Sequence, residues 1–268
     1  MDLAFITSIL TKGMWSATLV LIVAAVAERV SPRMAGIFSG LPLSALIIYF
    51  FVGLEMGVEF AVASVPHGVA AFVATLAYVL TYYVASQRLK KFSAIGSTLL
   101  GVVVFFAVAF PIAAIPFTLT SATVMTVCVL IFMVWLFRRI TFVTVDKPVR
   151  YTLRLLLARG GIAATLIVIM ITTAETLPPK WTGILAGFPT TLIPTFLILH
   201  LTYGPEQTHA MMRSFPIGMG SILLFILSVT VTFPQWGVYG GTAVSLAVSL
   251  AYISGVVLLS LVGTSKSR

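Results

Sequence analysis

The chain has 268 residues, of which 60% are hydrophobic and only 9% are charged, and its mean hydropathy is +1.13. This composition excludes an ordinary soluble globular domain and is typical of proteins with several membrane-spanning helices. The formal charge of +9 does not indicate a nucleic-acid partner, because the basic residues lie in short clusters between apolar segments, where they orient membrane proteins.

Apolar segments of the length that crosses a bilayer, about 20 residues, recur along the whole chain. They predict nine transmembrane helices, near residues 5–27, 34–55, 60–86, 92–112, 117–137, 152–174, 181–203, 208–231 and 236–262. The boundary between the fourth and fifth spans and the extent of the ninth span are the least defined. No stretch is left over for a soluble domain, so the predicted fold class is an all-α membrane protein.

Lysines and arginines follow four of the five odd-numbered predicted spans. The basic residues after the first, third, fifth and ninth spans are Arg29, Arg33, Arg88, Lys90, Lys91, Arg138, Arg139, Lys147, Arg150, Lys266 and Arg268. The intervening loops carry mainly Glu55 and Glu59, or Glu175 with the single Lys180. Because basic loops remain in the cytoplasm, the N-terminus is predicted to lie outside and the C-terminus in the cytoplasm.

Two parts of the chain repeat each other at an offset of 147 positions. Residues 10–59 and 157–206 align without a gap and are identical at 16 of 50 positions. The identical pairs include Gly13 with Gly160, Thr18 with Thr165, Glu28 with Glu175, Pro32 with Pro179, Gly36 with Gly183, Gly40 with Gly187, Pro42 with Pro189 and Gly57 with Gly204. Shared apolar composition does not explain matched glutamates, glycines and prolines, so the sequence predicts a duplication.

The duplication predicts how the two halves are oriented. The first span corresponds to the sixth, five crossings later, so the copies enter the membrane from opposite sides and form inverted-topology repeats. The predicted units are residues 1–139 with five spans, a cytoplasmic linker at 140–151, and residues 152–268 with four spans, all in one membrane domain. The start of the chain resembles a cleavable signal peptide, but its counterpart in the second half favours a permanent helix.

One motif of the repeat combines residues that interrupt helices. It reads "AGIFSGLPLSALI" at residues 35–47 and "TGILAGFPTTLIP" at residues 182–194. Both copies hold G-x-x-x-G followed two residues later by proline, formed by Gly36, Gly40 and Pro42 and by Gly183, Gly187 and Pro189. Glycines four positions apart share one helix face and allow another backbone to approach closely.

The prolines of this motif predict paired breaks in spans two and seven. Because proline has no amide hydrogen, we expect the carbonyls of Phe38 and Leu185 to be freed and to meet protein, water or ligand. Both breaks lie about 12 Å into the membrane at 1.5 Å per residue, from opposite sides. Paired interrupted helices in inverted halves indicate a transporter site, whereas packing and kinking without a ligand are the alternative.

Polar residues near the breaks are the candidate ligands. The substrate-binding candidates added to the glycines and prolines are Ser44, Thr190, Thr191 and Pro194. Since the second copy carries more hydroxyl groups than the first, we expect the hydroxyl-rich side of a central cavity to come mainly from span seven.

Charged residues within the spans have two interpretations each. Lys12 and Arg159 occupy equivalent positions about a third of the way into spans one and six, where they either snorkel to the interface or contact an anionic group on the solute. Glu28 and Glu175 lie at span ends, where capping or pairing with a nearby cation is the simpler role. His67 in span three is either a buried polar contact, which is favoured, or a proton-handling group.

Signatures of enzymes, metals and cofactors are missing from the sequence. There is no H-E-x-x-H, phosphate-binding loop, G-x-S-x-G or spaced aspartate set, and three histidines with one cysteine are too scattered for a metal site. His200, His209 and Arg213 cluster at predicted cytoplasmic span ends, where an interfacial role is expected. Cys128 excludes an internal disulfide because it is the only cysteine.

The stretches "PRMAGIFSGLPLSALIIYFFVGLEMGVE" (residues 32–59) and "PKWTGILAGFPTTLIPTFLILHLTYGPE" (residues 179–206) resemble the small GlpM-like bacterial membrane proteins. In those proteins a glycine-containing run leads to a proline and a serine or threonine within an apolar helix. The resemblance covers residues 30–86 and 177–231. It implies a bacterial inner-membrane protein with a duplicated unit, and it implies no substrate.

These observations predict a secondary transporter or exporter of a small solute, with its site at the crossing of spans two and seven. A channel with inverted halves and a non-transporting membrane subunit in envelope assembly are the alternatives. The expected partners are the lipid bilayer and the solute, and a homo-oligomer is compatible with the sequence. No enzyme activity, metal or cofactor is expected.

Overall fold

The computed structural model describes residues 37–140 and 153–265, together with residues 7, 11, 13–15 and 18. The described residues are almost all helical and contain no strand. The helices with defined ends are α1 (Leu43–Glu55), α2 (Val58–Arg88), α3 (Ser93–Ala114), α4 (Leu119–Phe137), α5 (Leu153–Ala174), α6 (Pro179–Ala186), α7 (Leu192–Tyr203) and α8 (Pro205–Ser265). The predicted all-helical class is therefore confirmed.

Five of these helices, α2, α3, α4, α5 and α8, are long and apolar enough to cross a membrane. Their outer faces expose large apolar side chains, for example Leu99, Val103 and Phe110 on α3 and Ile131 and Trp135 on α4. Soluble proteins rarely expose such continuous apolar surface. Lipid is the environment that these faces fit, which agrees with the prediction of a membrane protein.

The centre of the protein is α2. Two thirds of its most apolar stretch is buried, a larger share than in the other long helices, and it packs against α3, α4, α6 and α8. Polar side chains fix two of these contacts. Thr126 in α4 donates to the carbonyl of Val69 at 2.8 Å, and the His67 ring lies 3.2 Å from the carbonyl of Ile115 after α3. The sequence favoured a buried polar contact for His67, and the residue makes a polar contact but is only half-buried.

The last helix, α8, contains a sharp kink. Gly237 has φ 66° and ψ −177°, a conformation outside the helical region that glycine adopts without the steric cost of a Cβ atom. The segments before and after it contact each other, since Thr232 and Ser245 bond at 2.8 Å and Tyr252 donates to the carbonyl of Ile217 at 2.9 Å. In each pair one residue precedes the kink and the other follows it, and the pairs are nested, so the two segments fold back as an antiparallel pair. The sequence placed the loop between spans eight and nine at residues 232–235.

Two glycines link consecutive helices in the same way in both halves. Gly57 connects α1 to α2 with φ 92° and ψ 162°, and Gly204 connects α7 to α8 with φ 90° and ψ 173°. A positive φ of this kind strongly favours glycine. The two residues lie 147 positions apart, so the offset that aligns the sequences also aligns these backbone conformations.

Candidate functional site

The predicted interruptions of spans two and seven are present, and they are called here the first break (residues 39–42) and the second break (residues 187–191). Four backbone hydrogen bonds of 2.6–3.0 Å close the first break. The donor and acceptor pairs are Gly40 with Ile37, Leu41 with Phe38, Leu43 with Leu41, and Leu46 with Pro42. Four backbone hydrogen bonds of 2.7–3.1 Å close the second break. The donor and acceptor pairs are Gly187 with Ile184, Phe188 with Leu185, Thr190 with Phe188, and Ile193 with Pro189. Each bond recurs 147 positions later.

These hydrogen bonds correct one expectation. The carbonyls of Phe38 and Leu185 are not freed by the prolines, because each accepts an amide three residues later at 3.0 Å. A tight turn of this type satisfies carbonyls that would otherwise be orphaned at a helix end. Two carbonyls of the second break receive side chains instead: that of Gly187 accepts from Thr75 Oγ1 at 2.6 Å, and that of Thr191 accepts from Thr195 Oγ1 at 2.5 Å.

Glycines bring each break against a helix of the other half. A Cβ atom on Gly40 would overlap the backbone of Gly218 in α8, whereas one on Gly187 would lie 2.8 Å from the Cβ atom of Ala71 in α2. Ala71 and Gly218 are also 147 positions apart. The first break therefore contacts α8 where the second break contacts α2. Gly183 serves a related contact, because a Cβ atom there would overlap the carbonyl oxygen of Ser64.

A cavity of about 30 Å³ lies between the two breaks. Its lining from the first half is Ser39, Leu41, Pro42, Ser44, Ala45, Phe72 and Thr75. Its lining from the second half is Ala186, Gly187, Phe188, Pro189, Thr191, Leu192, Phe215, Met219 and Ile222. Every lining residue except Gly187 and Phe215 has its counterpart at an offset of 147 in the same lining. The volume is room for about one or two water molecules.

Hydroxyl groups at the cavity come from both halves. Ser44 Oγ, in the first turn of α1, lies 2.5 Å from Thr190 Oγ1 of the second break. Ser39, Thr75 and Thr191 add three hydroxyls to the lining. The expectation that span seven would supply most hydroxyls is therefore wrong. The physical reason is that α2 packs against the second break and turns Thr75 toward it, which a comparison of the two motifs alone does not reveal.

A second cavity, of about 10 Å³, adjoins the first, and among the described residues it has the one charged side chain found in either lining. Arg159 of α5 lines it together with Ser39, Thr191 and Thr195, and only 8% of the residue is exposed. Ser39 and Thr191 line both cavities. Arg159 is thus buried beside the breaks, and the snorkelling interpretation does not describe it.

Two helices begin at the cavities. Pro42 is the residue before α1 and Thr191 the residue before α7, and neither gives its helix a side-chain cap. The amide groups in the first turn of a helix lack intrahelical partners, and each amino end carries about +0.5 of an elementary charge. Both amino ends therefore add positive potential at the breaks.

The remaining candidates lie in different places. Pro194 is buried within α7, outside both cavity linings. Glu175 is half-buried in the turn after α5, and Lys180 is exposed at the start of α6. Gly36, Lys12 and Glu28 lie outside the described residues.

A polar cluster occupies the end of α2 opposite its start at Gly57. Tyr82 OH lies 3.1 Å from His200 Nδ1, and Ser86 Oγ lies 2.7 Å from His209 Nε2. Arg213 donates to the carbonyl of Ile140 at 2.8 Å. The bonds of Tyr82 and Ser86 tie α2 to α7 and α8. The interfacial role expected of His200, His209 and Arg213 stays a prediction. Within the described part of the chain, no group of three metal-binding side chains occurs.

Sequence reasoning missed Thr75, Phe72 and their counterparts Ile222 and Met219. Their signal was weak, because a threonine in an apolar helix usually bonds to its own backbone. Applying the offset of 147 to α2 and α8 would have paired them. No protein-family model, curated protein or solved structure matches the chain. The functional interpretation therefore rests on the geometry.

Proposed function

We propose that the chain is a secondary transporter or exporter of a small solute in a bacterial inner membrane. Its nine spans form two inverted repeats of five and four, with the N-terminus outside and the C-terminus in the cytoplasm. The solute binds at the two breaks, close to Ser44 and Thr191. The likeness of residues 32–59 and 179–206 to GlpM-like proteins is part of this proposal.

One observation carries the proposal most directly, the cavity lined by equivalent residues of the two halves. In transporters with inverted repeats, substrate sites lie near the bilayer midplane at the repeat interface and are formed by discontinuous helices. The first and second breaks supply those helices. The equal backbone hydrogen bonds at both breaks support a symmetric origin of the site.

The size of the cavity supports alternating access more than a permanent pore. Among the described residues, the space between the breaks is a cavity of about 30 Å³, whereas a channel needs a continuous aqueous path. A small solute requires the walls to separate, first toward one side and then toward the other. The contacts of the first break with α8 and of the second break with α2 are the interfaces that this motion would change.

Thiol labelling tests the proposal without knowledge of the solute. Cys128 is the only cysteine and is exposed, so Cys128→Ser provides a background free of thiols. Ser44→Cys and Thr191→Cys then place one thiol at equivalent positions of the cavity. We expect a membrane-impermeant methanethiosulfonate to label both variants from either face of oriented vesicles. Val124→Cys on the exposed side of α4 is the lipid-facing control and should stay unlabelled.

The alternatives give different results in the same experiment. A channel also labels from both faces but carries an ionic current in planar bilayers, whereas the transporter carries no steady current at zero solute gradient. A non-transporting assembly subunit labels from neither face. The double variant Pro42→Ala with Pro189→Ala, which restores two backbone amides, should abolish labelling while the protein remains folded. Unchanged labelling would argue against a functional role of the breaks.

A further inference from the structure

The described residues that line the two cavities contribute positive charge and no negative charge. Arg159 contributes a guanidinium that is nearly fully buried, and the amino ends of α1 and α7 contribute partial positive charges. Among the described residues that line either cavity, none carries a carboxylate. The aspartates of the chain, Asp2 and Asp146, lie outside every predicted span.

This arrangement is unfavourable for a cation. A cation inside a low-dielectric site needs carboxylates or several carbonyl oxygens to replace its hydration shell. Here the carbonyls of Leu41, Pro42, Gly187, Phe188 and Pro189 already accept backbone or threonine donors, and the charged side chain among the described residues of the linings is positive. An anion, by contrast, would meet a guanidinium, amide hydrogens and hydroxyl hydrogens.

The position of Arg159 allows it to take part in binding. Its cavity shares Ser39, Leu41, Thr191 and Leu192 with the larger cavity, so Arg159 lines a space that adjoins the one between the two breaks. Arg159 already has an interaction within the protein. A guanidinium has five N–H donors, so it can keep that interaction and still contact a solute.

We propose that the transported solute carries an anionic group, which binds between Arg159 and the amino ends of α1 and α7, with the hydroxyls of Ser44 and Thr191 as further donors. The inference rests on the proposed transport function and adds its substrate class. Carboxylate, phosphate and halide share this chemistry. A planar carboxylate suits the guanidinium best, because two parallel N–H groups match its two oxygens.

Thermal unfolding of the full-length protein in an uncharged detergent tests the proposal. The probes are potassium acetate, potassium succinate, potassium phosphate and potassium chloride, each titrated against choline and sorbitol as cationic and neutral comparisons. Tryptophan fluorescence reports the unfolding temperature. We expect at least one anion to raise it with a saturating dose dependence, and the strongest anion identifies the class. Stabilisation by choline or sorbitol alone would overturn the proposal.

Variants of α5 locate the effect. Arg159→Gln should weaken the apparent affinity for the anion at least tenfold, and Arg159→Lys, which keeps the charge, should weaken it less. Arg154→Gln removes an exposed arginine of the same helix and should leave the affinity unchanged. Equal loss in both glutamine variants would indicate general ionic screening and would contradict the site. If Arg159→Gln does not fold, Arg159→Lys against Arg154→Lys provides the same comparison.

The anion site and the transport function fail in distinguishable ways. Anion binding that depends on Arg159, without thiol labelling of Ser44→Cys from both faces, would support the anion site and contradict the transport function. Labelling from both faces, without a rise of the unfolding temperature by any anion, would support the transport function. It would contradict the anion site and assign the solute to another chemical class.

Discussion

The first and second breaks have the same backbone and different side chains. Pro42 and Pro189 follow equivalent turns closed by equivalent hydrogen bonds, but Leu43 and Ser44 in one half correspond to Thr190 and Thr191 in the other. The backbone geometry is therefore set by the paired glycines and prolines. The chemistry of each break is set by the residues that vary around them.

The helices that face the breaks differ in the same manner. Gly218 faces the first break, and Ala71 faces the second. Thr75 donates to the second break, whereas its counterpart Ile222 has no hydroxyl to donate. Symmetry thus explains where the cavity lies, and asymmetry explains why its two walls should respond differently to substitution.

The largest expected difference concerns the glycines. Gly40→Ala places a methyl group into the backbone of Gly218. Neither residue can relieve this overlap by a rotamer change, because a methyl group and a backbone have none. The free energy of unfolding should therefore fall by more than about 3 kcal/mol, which exceeds the usual cost of overpacking. The one contact of Gly187→Ala closer than 3 Å is with the Cβ atom of Ala71, so about 1–3 kcal/mol is expected. Thermal unfolding in detergent measures both.

The second glycine substitution also offers a compensating change. Ala71→Gly removes the Cβ atom that a new methyl group at position 187 would meet, so the double variant should recover stability relative to Gly187→Ala alone. Gly161→Ala is the control, because a Cβ atom there meets nothing within 4 Å. Equal damage from Gly40→Ala and Gly187→Ala would show that the two breaks are packed alike.

The next effect concerns the hydroxyl that only one break receives. Thr75→Val leaves the carbonyl of Gly187 without its 2.6 Å donor in a buried site, which should cost about 1–3 kcal/mol. Thr165→Val is the matched control, because Thr165 is exposed and bonds to its own helix at Gly161. A thermal shift no larger than that of the control would mean that water or another donor replaces Thr75.

Much of this fold could be read from the sequence. Glycine and proline restrict the backbone directly, so their pairing at an offset of 147 predicted the positions of both breaks and their equal geometry. Apolar length predicted where α2 to α5 lie, within a few residues. Such features depend on local chain properties, which a single sequence carries in full.

Contacts between distant residues could not be read in the same way. The bond from Thr75 to Gly187 spans 112 positions and depends on the rotation of α2 about its axis. Arg159 could snorkel or turn inward from the same depth, because its side chain is long enough for either. The carbonyls of Phe38 and Leu185 accept backbone hydrogen bonds because of the turn geometry, which proline alone does not define.

A smaller effect is expected where the first turn of α1 contacts the second break. Ser44→Ala and Thr190→Val each remove one partner of the 2.5 Å bond, and the double variant completes a cycle. Interhelical hydrogen bonds in membranes average about 0.6 kcal/mol in such cycles, so a coupling near that value is expected from unfolding free energies. Ser44→Ala combined with Thr165→Val should show no coupling. Coupling in that control pair would invalidate the cycle as a measure of the direct contact.

The smallest expected effect concerns the polar cluster at the end of α2, which has no equivalent among the described residues of the other half. Tyr82 bonds to His200 at 3.1 Å and to the carbonyl of Phe196 at 3.3 Å, whereas the counterparts of Tyr82 and His200 are Val229 and Gly53, which form no such bonds. Tyr82→Phe removes the hydroxyl but keeps the ring packed against Phe196 at 5.3 Å.

The cost of Tyr82→Phe should therefore be about 0.5–1.5 kcal/mol, and the unfolding temperature measures it. Ser86→Ala, which removes the 2.7 Å contact with His209, should cost a similar amount and add to the first, because the two bonds share no atom. A combined cost far above the sum would show that the cluster acts as one cooperative network. That result would make this end of the second half more rigid than the corresponding apolar end of the first, and it would identify the apolar end as the one that opens more readily.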